Sequence, residues 1–285
     1  MKLAKEILPD SLKSYLNKDG YNSGAIPTDV SATRLKDSPR ISRLYKEHGK
    51  KIKADPLKRG YAKLGEAWHL LMEQNSPPHW VTEKRLYARV GDKVISGSPD
   101  ALEPVEGGWN IWDYKLMTAY KAQTDMKEFE KQLNIYAFLL RANDMTPKNL
   151  YISGVLRDWS DIKVGGDYPD TMFPVFSLPL WLENEAEDYV NERLQLHLSE
   201  SIPLCTDEER WMRPAKFAVV AEKTKKTLRL YSTMDEALAH TTKTPVFIQK
   251  REAEPIRCTR FCDVAPFCDQ YQSEQFTKEV LTDDK

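Results

Sequence analysis

The apolar positions divide the chain into a helical start, a run of strands, a long helix and a second β-rich stretch. The first sixty residues read as helical, interrupted at Pro9, Gly20, Pro27 and Pro39. From Tyr61 to Gln74, Leu64, Ala67, Trp68, Leu71 and Met72 recur at helical spacing, and Ser76-Pro77-Pro78 stops the segment. Trp80–Val90 reads as a strand, with Gly91-Asp92 turning into a second strand over Lys93–Ser98. After a loop at Glu103–Gly108, the apolar run Trp109–Lys115 makes a third strand. Met126, Phe129, Leu133, Tyr136 and Leu140 predict an amphipathic helix over Asp125–Ala142, and Leu150–Leu156 a further strand. Beyond these lie an acidic amphipathic helix at Trp181–Leu198 and a hairpin of Lys216–Ala221 with Thr227–Tyr231. A short helix at Met234–His240, a strand at Pro245–Gln249 and a frayed tail at Thr282–Lys285 complete the reading. Helix, three strands, helix, strand is the order of an α/β fold, a mixed central sheet flanked by helices.

A chain of 285 residues holds one large α/β domain, or a catalytic domain with a smaller appendage. The expected division is a basic helical region at 1–60, a core at 61–200 and a β-rich segment with clustered cysteines at 201–285. No apolar run approaches the roughly 18–20 residues that cross a bilayer, and Met1–Lys5 lacks the pattern of a secretory signal. The expectation is a protein without membrane segments, in the cytoplasm or in a cell that a virus or mobile element infects. The net charge of −1 excludes a global basic field. Locally the balance differs, because Arg34–Lys63 carries eleven Lys or Arg against three acids. Such a stretch can hold phosphates by releasing counterions, with Lys50, Lys51, Lys53 and Arg59 as candidates, or it can be a solvated helix face.

The candidate chemistry lies in three successive pieces. They are Gly97-Ser98-Pro99-Asp100, then Asp113-Tyr114-Lys115 at the end of an apolar strand, then Gln132 and Tyr136 on the following helix. Asp113 and Lys115 are two apart on a strand and share a face. Pairing of that strand with the one before it would let Asp100 and Asp113 converge on one cation. Mg²⁺ takes oxygen ligands, is usually held by one or two carboxylates, and can activate water and stabilise charge on a scissile phosphate. Lys115 can orient that water or neutralise developing charge. Gln132 and Tyr136 are four apart on a helix and also share a face.

With Gly65-Glu66-Ala67-Trp68-His69 upstream, this order resembles the PD-(D/E)xK nuclease superfamily, and within it the RecB-like branch. The matching residues are His69 in GxxxH, Asp100 in GxxD, Asp113 and Lys115 in DxK, and Gln132 and Tyr136 in QxxxY, across Tyr61–Arg141. The resemblance implies a restriction-endonuclease-like core. It implies Mg²⁺ or Mn²⁺ bound by His69, Asp100, Asp113 and the Tyr114 carbonyl, with Lys115 as the catalytic lysine and Gln132 and Tyr136 beside the site. Glu83 matches loosely an acidic position of the first strand.

All four cysteines, Cys205, Cys258, Cys262 and Cys268, lie after residue 204. Clustered thiols in a cytoplasmic protein suggest an iron–sulfur cluster or zinc before disulfides, with unliganded buried thiols as the third reading. RecB-like nucleases include a group stapled by a 4Fe–4S cluster: AddB, exonuclease V and the CRISPR-associated RecB-like exonucleases. In them three cysteines lie near the C-terminus and a fourth lies upstream of the first nuclease motif. This chain has no cysteine there, and Cys205 is its candidate for the fourth ligand.

The expectation is a metal-dependent DNA nuclease, first of all an exonuclease, of a phage or recombination type. No GxxxxGK[ST] motif is present, so a helicase or recombination partner would be a separate protein. The competing readings are a non-catalytic nucleic-acid-binding module on the same fold, an RNA-directed nuclease, and a zinc-stabilised interaction protein.

Overall fold

The computed structural model describes residues 9–17, 26–52, 60–124 and 126–275. In chain order these contain α1 (Asp10–Asn17), β1 (Val30–Ser31), α2 (Ala32–Lys36), α3 (Pro39–His48), α4 (Gly60–Asn75), β2 (Val81–Thr82), β3 (Leu86–Val90), β4 (Lys93–Gly97), β5 (Ala101–Val105) and β6 (Gly108–Met117). There follow α5 (Ala119–Ala122), α6 (Lys127–Arg141), β7 (Pro147–Leu156), β8 (Val175–Leu178) and α7 (Glu183–Leu198). The remainder holds β9 (Met212–Arg213), β10 (Lys216–Ala221), β11 (Thr227–Tyr231), α8 (Met234–Leu238), β12 (Val246–Arg251), β13 (Glu254–Pro255) and α9 (Ile256–Arg260).

Two compact units emerge. The described residues within 1–36 and 53–199 form the first, and those within 37–52 and 200–285 the second. The stretch 1–60 is thus shared between them. No helix of the described residues is long and apolar enough to cross a membrane.

The main sheet of the first unit has the order β2-β5-β6-β7-β8, and a smaller sheet has the order β1-β4-β3. β6 and β7 are parallel, with α5 and α6 in the connection between them, and the other neighbours in the main sheet are antiparallel. Leu133, Ile135, Leu139 and Leu140 of α6 are fully buried, with Ile111, Leu150 and Ile152 of the sheet. Each such side chain contributes about 1.5–3 kcal/mol relative to exposure. Val190 and Leu194 of α7 and Leu35 of α2 complete this core. Asn134, buried mid-helix, donates to the carbonyl of Pro179 (3.0 Å) and accepts from the amide of Trp181 (2.8 Å), fixing the approach to α7.

Two elements differ from the sequence reading. Trp80–Val90 is not one strand. It breaks at Glu83, whose φ is +49°, and β2 and β3 lie in different sheets. Glu103–Gly108 is not simply a loop, because Glu103–Val105 extends β5 and pairs with β6. Pro104 removes a ladder donor, but β2 pairs only with Ala101 and Leu102, so Pro104 sits on an open edge where that donor has no strand to meet. Gly107, with φ at +74°, closes the two-residue hairpin.

In the second unit, β10 lies between β11 and β12, and β13 pairs with β9. Ser38 caps α3 by accepting from the Ile41 amide, with Pro39 at the first helical position. Ile41 and Leu44 of α3 pack with Val264 and Cys268. Buried Arg40 donates to the carbonyls of Ile202 and Pro203 and pairs with Asp269. Arg257 makes a bidentate pair with Asp37 at 2.6 and 2.7 Å.

Gly97 ends β4 where two other elements crowd the backbone. A Cβ there would stand 2.8 Å from Leu139 and Tyr136 and 2.9 Å from Ala32. Gly97→Ala should therefore destabilise the protein by about 1–3 kcal/mol, the usual cost of overpacking. Urea unfolding measures this, and an unchanged midpoint would show that the contact yields freely.

Candidate active site

The β5–β6 hairpin builds the centre of the site. Asp100 immediately precedes β5, and Ala101 pairs with Trp112, so Asp100 arrives beside Asp113 and Tyr114. Its Oδ2 accepts the Tyr114 amide at 2.6 Å. The partner of β6 is therefore β5, whereas the strand expected for that pairing, Lys93–Ser98, is β4 of the smaller sheet. The convergence arises through an element that Pro104 and Gly107 obscure in the sequence.

Asp113 is fully buried. Its Oδ1 accepts from Gln132 Nε2 at 3.4 Å, and the same Nε2 lies 2.9 Å from the Tyr136 hydroxyl. Its Oδ2 forms an ion pair with Lys115 Nζ but has no partner of hydrogen-bond geometry. The period of two on β6 and the spacing of four on α6 thus set four side chains in one network.

His69 reaches in from α4. Its Nε2 lies 2.7 Å from the Tyr114 carbonyl, which can only accept, so Nε2 carries the proton. Nδ1 then has a lone pair and stands 3.5 Å from Asp100 Oδ1. Burial, then the nearby Lys115 ammonium, lowers the His69 pKa, which favours the neutral ring that ligates metals. Glu83 joins them: His69, Glu83 and Asp100 each offer a ligand atom within 4.8 Å of the other two. Glu83 was the loosely matched residue. The left-handed backbone there turns it out of the strand pattern, and Ser98 Oγ donates to it at 3.5 Å.

The electrostatics follow from crowding in a dry place. Burial, and then the adjacent Asp113 charge, push the Asp100 carboxyl well above the ordinary aspartate range. Glu83 is also raised, by burial and then by Glu73. Burial disfavours the Lys115 ammonium, yet Asp113 and Asp100 outweigh it and hold its pKa above the usual lysine value. Burial and the same two carboxylates raise the Tyr136 phenol, which stays neutral. The Asp100 and Glu83 carboxylates beside a neutral imidazole are a donor set that a hard divalent cation fits.

In the second unit, Cys205, Cys258, Cys262 and Cys268 line one pocket with Arg210 and Arg257. None is in a disulfide. Burial pushes the Cys205 thiol up to about 11 and raises that of Cys262. Ser38 Oγ lies 3.1 Å from Cys205 Sγ. Arg210 is only 6% exposed, and its Nε has no hydrogen-bond partner.

Lys50 and Lys51 are exposed in a 3₁₀ turn of the second unit, while Lys53 and Arg59 lie outside the described residues.

A mixed sheet carrying Asp, Asp-x-Lys and a bracing Gln-x-x-x-Tyr helix defines a restriction-endonuclease-like nuclease fold. The family model of the PD-(D/E)XK nuclease superfamily matches residues 42–269, and the chain belongs to that superfamily. Among curated proteins none matches it. Solved structures similar to it include the crystal structure of SSO0001, at 21% identity over 65% of this chain and 84% of that one, with a TM-score of 0.47. A phage related exonuclease from Haemophilus somnus 129PT is 15% identical over 65% and 88%, with a TM-score of 0.35. LHK-Exo in complex with dAMP is 12% identical over 58% and 85%, with a TM-score of 0.34.

The raised Asp100 pKa has a thermodynamic signature. Unfolded aspartate titrates near about 3.9, so between that value and the raised folded one the unfolded chain deprotonates first and is favoured. Metal-free wild type should lose stability relative to Asp100→Asn as pH rises through this window. Unfolding of both proteins in EDTA from about pH 4 to 8 tests it; parallel pH profiles would disprove the shift.

Proposed function

We propose that this chain is a divalent-metal-dependent nuclease that hydrolyses phosphodiester bonds in DNA, acts as an exonuclease, and belongs to the RecB-like branch. The observation that carries the reading is the meeting of Asp100, Asp113 and His69 beside the Tyr114 carbonyl, with Lys115 paired to Asp113. Mg²⁺ or Mn²⁺ would be held by Asp100, Asp113, His69 and the Tyr114 carbonyl, with Glu83 close enough to join them. Bound there, it supplies Lewis-acid stabilisation of the phosphate and a more acidic water.

The chain's own groups divide the remaining work. Lys115 keeps its proton and places positive charge where the scissile phosphate gains negative charge. Gln132 holds Asp113 in its rotamer, and Tyr136 holds Gln132. His69 donates to the Tyr114 carbonyl through Nε2, which aims Nδ1 at Asp100. In this reading the catalytic core lies within 61–200, with α2 of the 1–60 stretch packed into it, while 37–52 goes with the 201–285 appendage. Its partner is DNA, single- or double-stranded at an end, with any helicase or recombination factor a separate protein. Unpaired thiols suit the cytoplasm or a phage-infected cell.

The cysteine pocket takes a 4Fe–4S cluster in preference to zinc. Four thiolates on one zinc, at about 2.3 Å each, would bring their sulfurs within about 4 Å of one another. In a 4Fe–4S cluster each thiolate binds a different iron, and the four thiols that line the pocket match that number. The unpartnered Arg210 Nε suits the negative charge of a thiolate-bound cluster. Such a cluster ties the second unit together and takes no part in cleavage.

The deciding experiment digests end-labelled single- and double-stranded DNA with Mg²⁺, Mn²⁺ or EDTA. Asp113→Asn should cost about a thousandfold in rate, roughly 4 kcal/mol, while leaving the fold intact. Equal activity in that variant, or cleavage in EDTA, would refute the site. Anaerobically purified protein should contain about four iron and four sulfide per chain. Stoichiometric zinc in colourless protein would refute the cluster.

A further inference from the structure

In the second unit, two buried polar groups stand beside the thiol pocket with donor capacity to spare. One is the Ser38 hydroxyl. Ser38 is fully buried, and its Oγ accepts from the Ile41 amide at the start of α3. A hydroxyl carries one proton and two lone pairs, so accepting leaves the proton free. The sulfur of Cys205 lies 3.1 Å away. The other group is Arg210, which lines the pocket and is 6% exposed. Glu274 takes one terminal nitrogen, and Nε has no hydrogen-bond partner. Burial works against the Arg210 charge, while Glu274 and then Cys258 outweigh it and hold its pKa up. Arg257 lines the same pocket, but both its terminal nitrogens are already committed to Asp37.

The charges decide what such donors do. The pocket is walled by Ile41, Leu44 and Val264, and burial pushes the Cys205 thiol up to about 11. It is a place that opposes negative charge. A 4Fe–4S cluster held by four thiolates is negative overall and gains a further negative charge on reduction. A dry apolar wall therefore drives the reduction potential down, while hydrogen bonds and cationic charge at the sulfurs drive it up. A ligating Cys205 is a thiolate and can only accept, which makes Ser38 the donor. Cys205 is placed by other means: Gln270 accepts from its amide at 2.8 Å and donates to its carbonyl at 3.0 Å. Ser38 thus adds a proton to the sulfur without being what positions it.

We infer that Ser38 donates to the cluster-bound sulfur of Cys205 and Arg210 to that of Cys258, and that these two donors raise the reduction potential of the cluster. The inference rests on the cluster reading above. On reduction one electron enters the iron core, and no bond forms or breaks. Ser38 and Arg210 bind no iron, and they act through the sulfurs they touch.

The test uses anaerobically purified full-length protein, as wild type, Ser38→Gly, Ser38→Ala, Arg210→Gln and Arg210→Lys. Glycine serves nearly as well as serine at a helix start, so Ser38→Gly removes the hydroxyl at little cost to α3. Iron and sulfide per chain, the thermal midpoint and the potential from an EPR-monitored dithionite titration are measured on each. Ser38→Gly, Ser38→Ala and Arg210→Gln should each make the cluster about tenfold harder to reduce, a fall of about 59 mV for one electron, with iron content unchanged. Arg210→Lys, which keeps the charge, should lie between wild type and Arg210→Gln. A purely structural role would lower the thermal midpoint or the iron content and leave the potential of the loaded protein where it was, and that result would overturn the inference. Wild type alone gives a second readout. Exchange into D₂O should remove proton couplings from the EPR of the reduced cluster, and the absence of any exchangeable coupled proton would overturn the inference whatever the variants do. Wild type that holds no iron and sulfide would overturn the cluster reading, and the inference with it.

Discussion

The burial of two carboxylates beside one ammonium is the constraint around which the first unit is arranged. Asp113 is fully buried and Asp100 nearly so, and Lys115 is held with them against the cost of its own desolvation. Taking such charges out of water is unfavourable unless their geometry is fixed and their lone pairs are met. The fold meets most of them: the Tyr114 amide serves Asp100, and Gln132 serves one oxygen of Asp113. The other oxygen of Asp113 is left with an ion pair and no well-formed hydrogen bond. The charge of that oxygen is met by the Lys115 ammonium, so the carboxylate and the lysine are held as one unit in a well-packed core.

The supports of this arrangement are unequal. Asp100, Asp113 and Lys115 belong to a paired hairpin, and Gln132 and Tyr136 to a helix whose inward face is buried along its length. Gly97 lets β4 approach that helix more closely than any side chain would permit, and Asn134 holds the segment leading to α7. α4, which carries His69, is different. Of its residues only Lys63 is buried, while Tyr61, Leu64, Leu70 and Leu71 are about half exposed or more. Thin packing makes local adjustment cheap. His69 is therefore, of the candidate ligands, the one on the most thinly packed element, tied to the sheet by its hydrogen bond to the Tyr114 carbonyl.

Within single elements the site was legible in the sequence. Asp113 with Lys115, and Gln132 with Tyr136, follow from periods of two and about four, and neither pair needs a tertiary contact to be placed. What depended on pairing between elements was harder to read. β5 hides behind Pro104 and Gly107, which are turn signals unless one knows that the strand edge at Pro104 is open. Glu83 lies in what reads as an unbroken strand, and only its left-handed backbone turns it toward His69 and Asp100. The basic stretch from Arg34 to Lys63 drew notice for its density, yet density does not say which lysine meets the site. Lys36 reaches the Phe129 ring of α6 through the packing of α2 on that helix, and Lys121, which reaches the same ring, lies outside that stretch altogether.

The second unit brings four thiols to one pocket. A stapled relative would have its fourth cysteine upstream of the nuclease motifs, and this chain has none there. Cys205 lines the same pocket as Cys258, Cys262 and Cys268, so four thiols are present without an upstream one. The upstream segment is nevertheless bound into the unit by other means. Asp37 takes a bidentate pair from Arg257, Arg40 is buried against Asp269 and two carbonyls, and Ser38 sets its hydroxyl against Cys205. Arginine suits this role because its planar fork satisfies several acceptors at once at a buried position. In the proposed cluster, a fourth thiol at residue 205 would separate two tasks that one upstream cysteine would combine. Thiols drawn from the C-terminal segment alone line the pocket, and ion pairs attach the segment Asp37–Ile52 to it. Were a cluster bound as proposed, its loss and the detachment of that segment would be distinct events, each with its own set of residues.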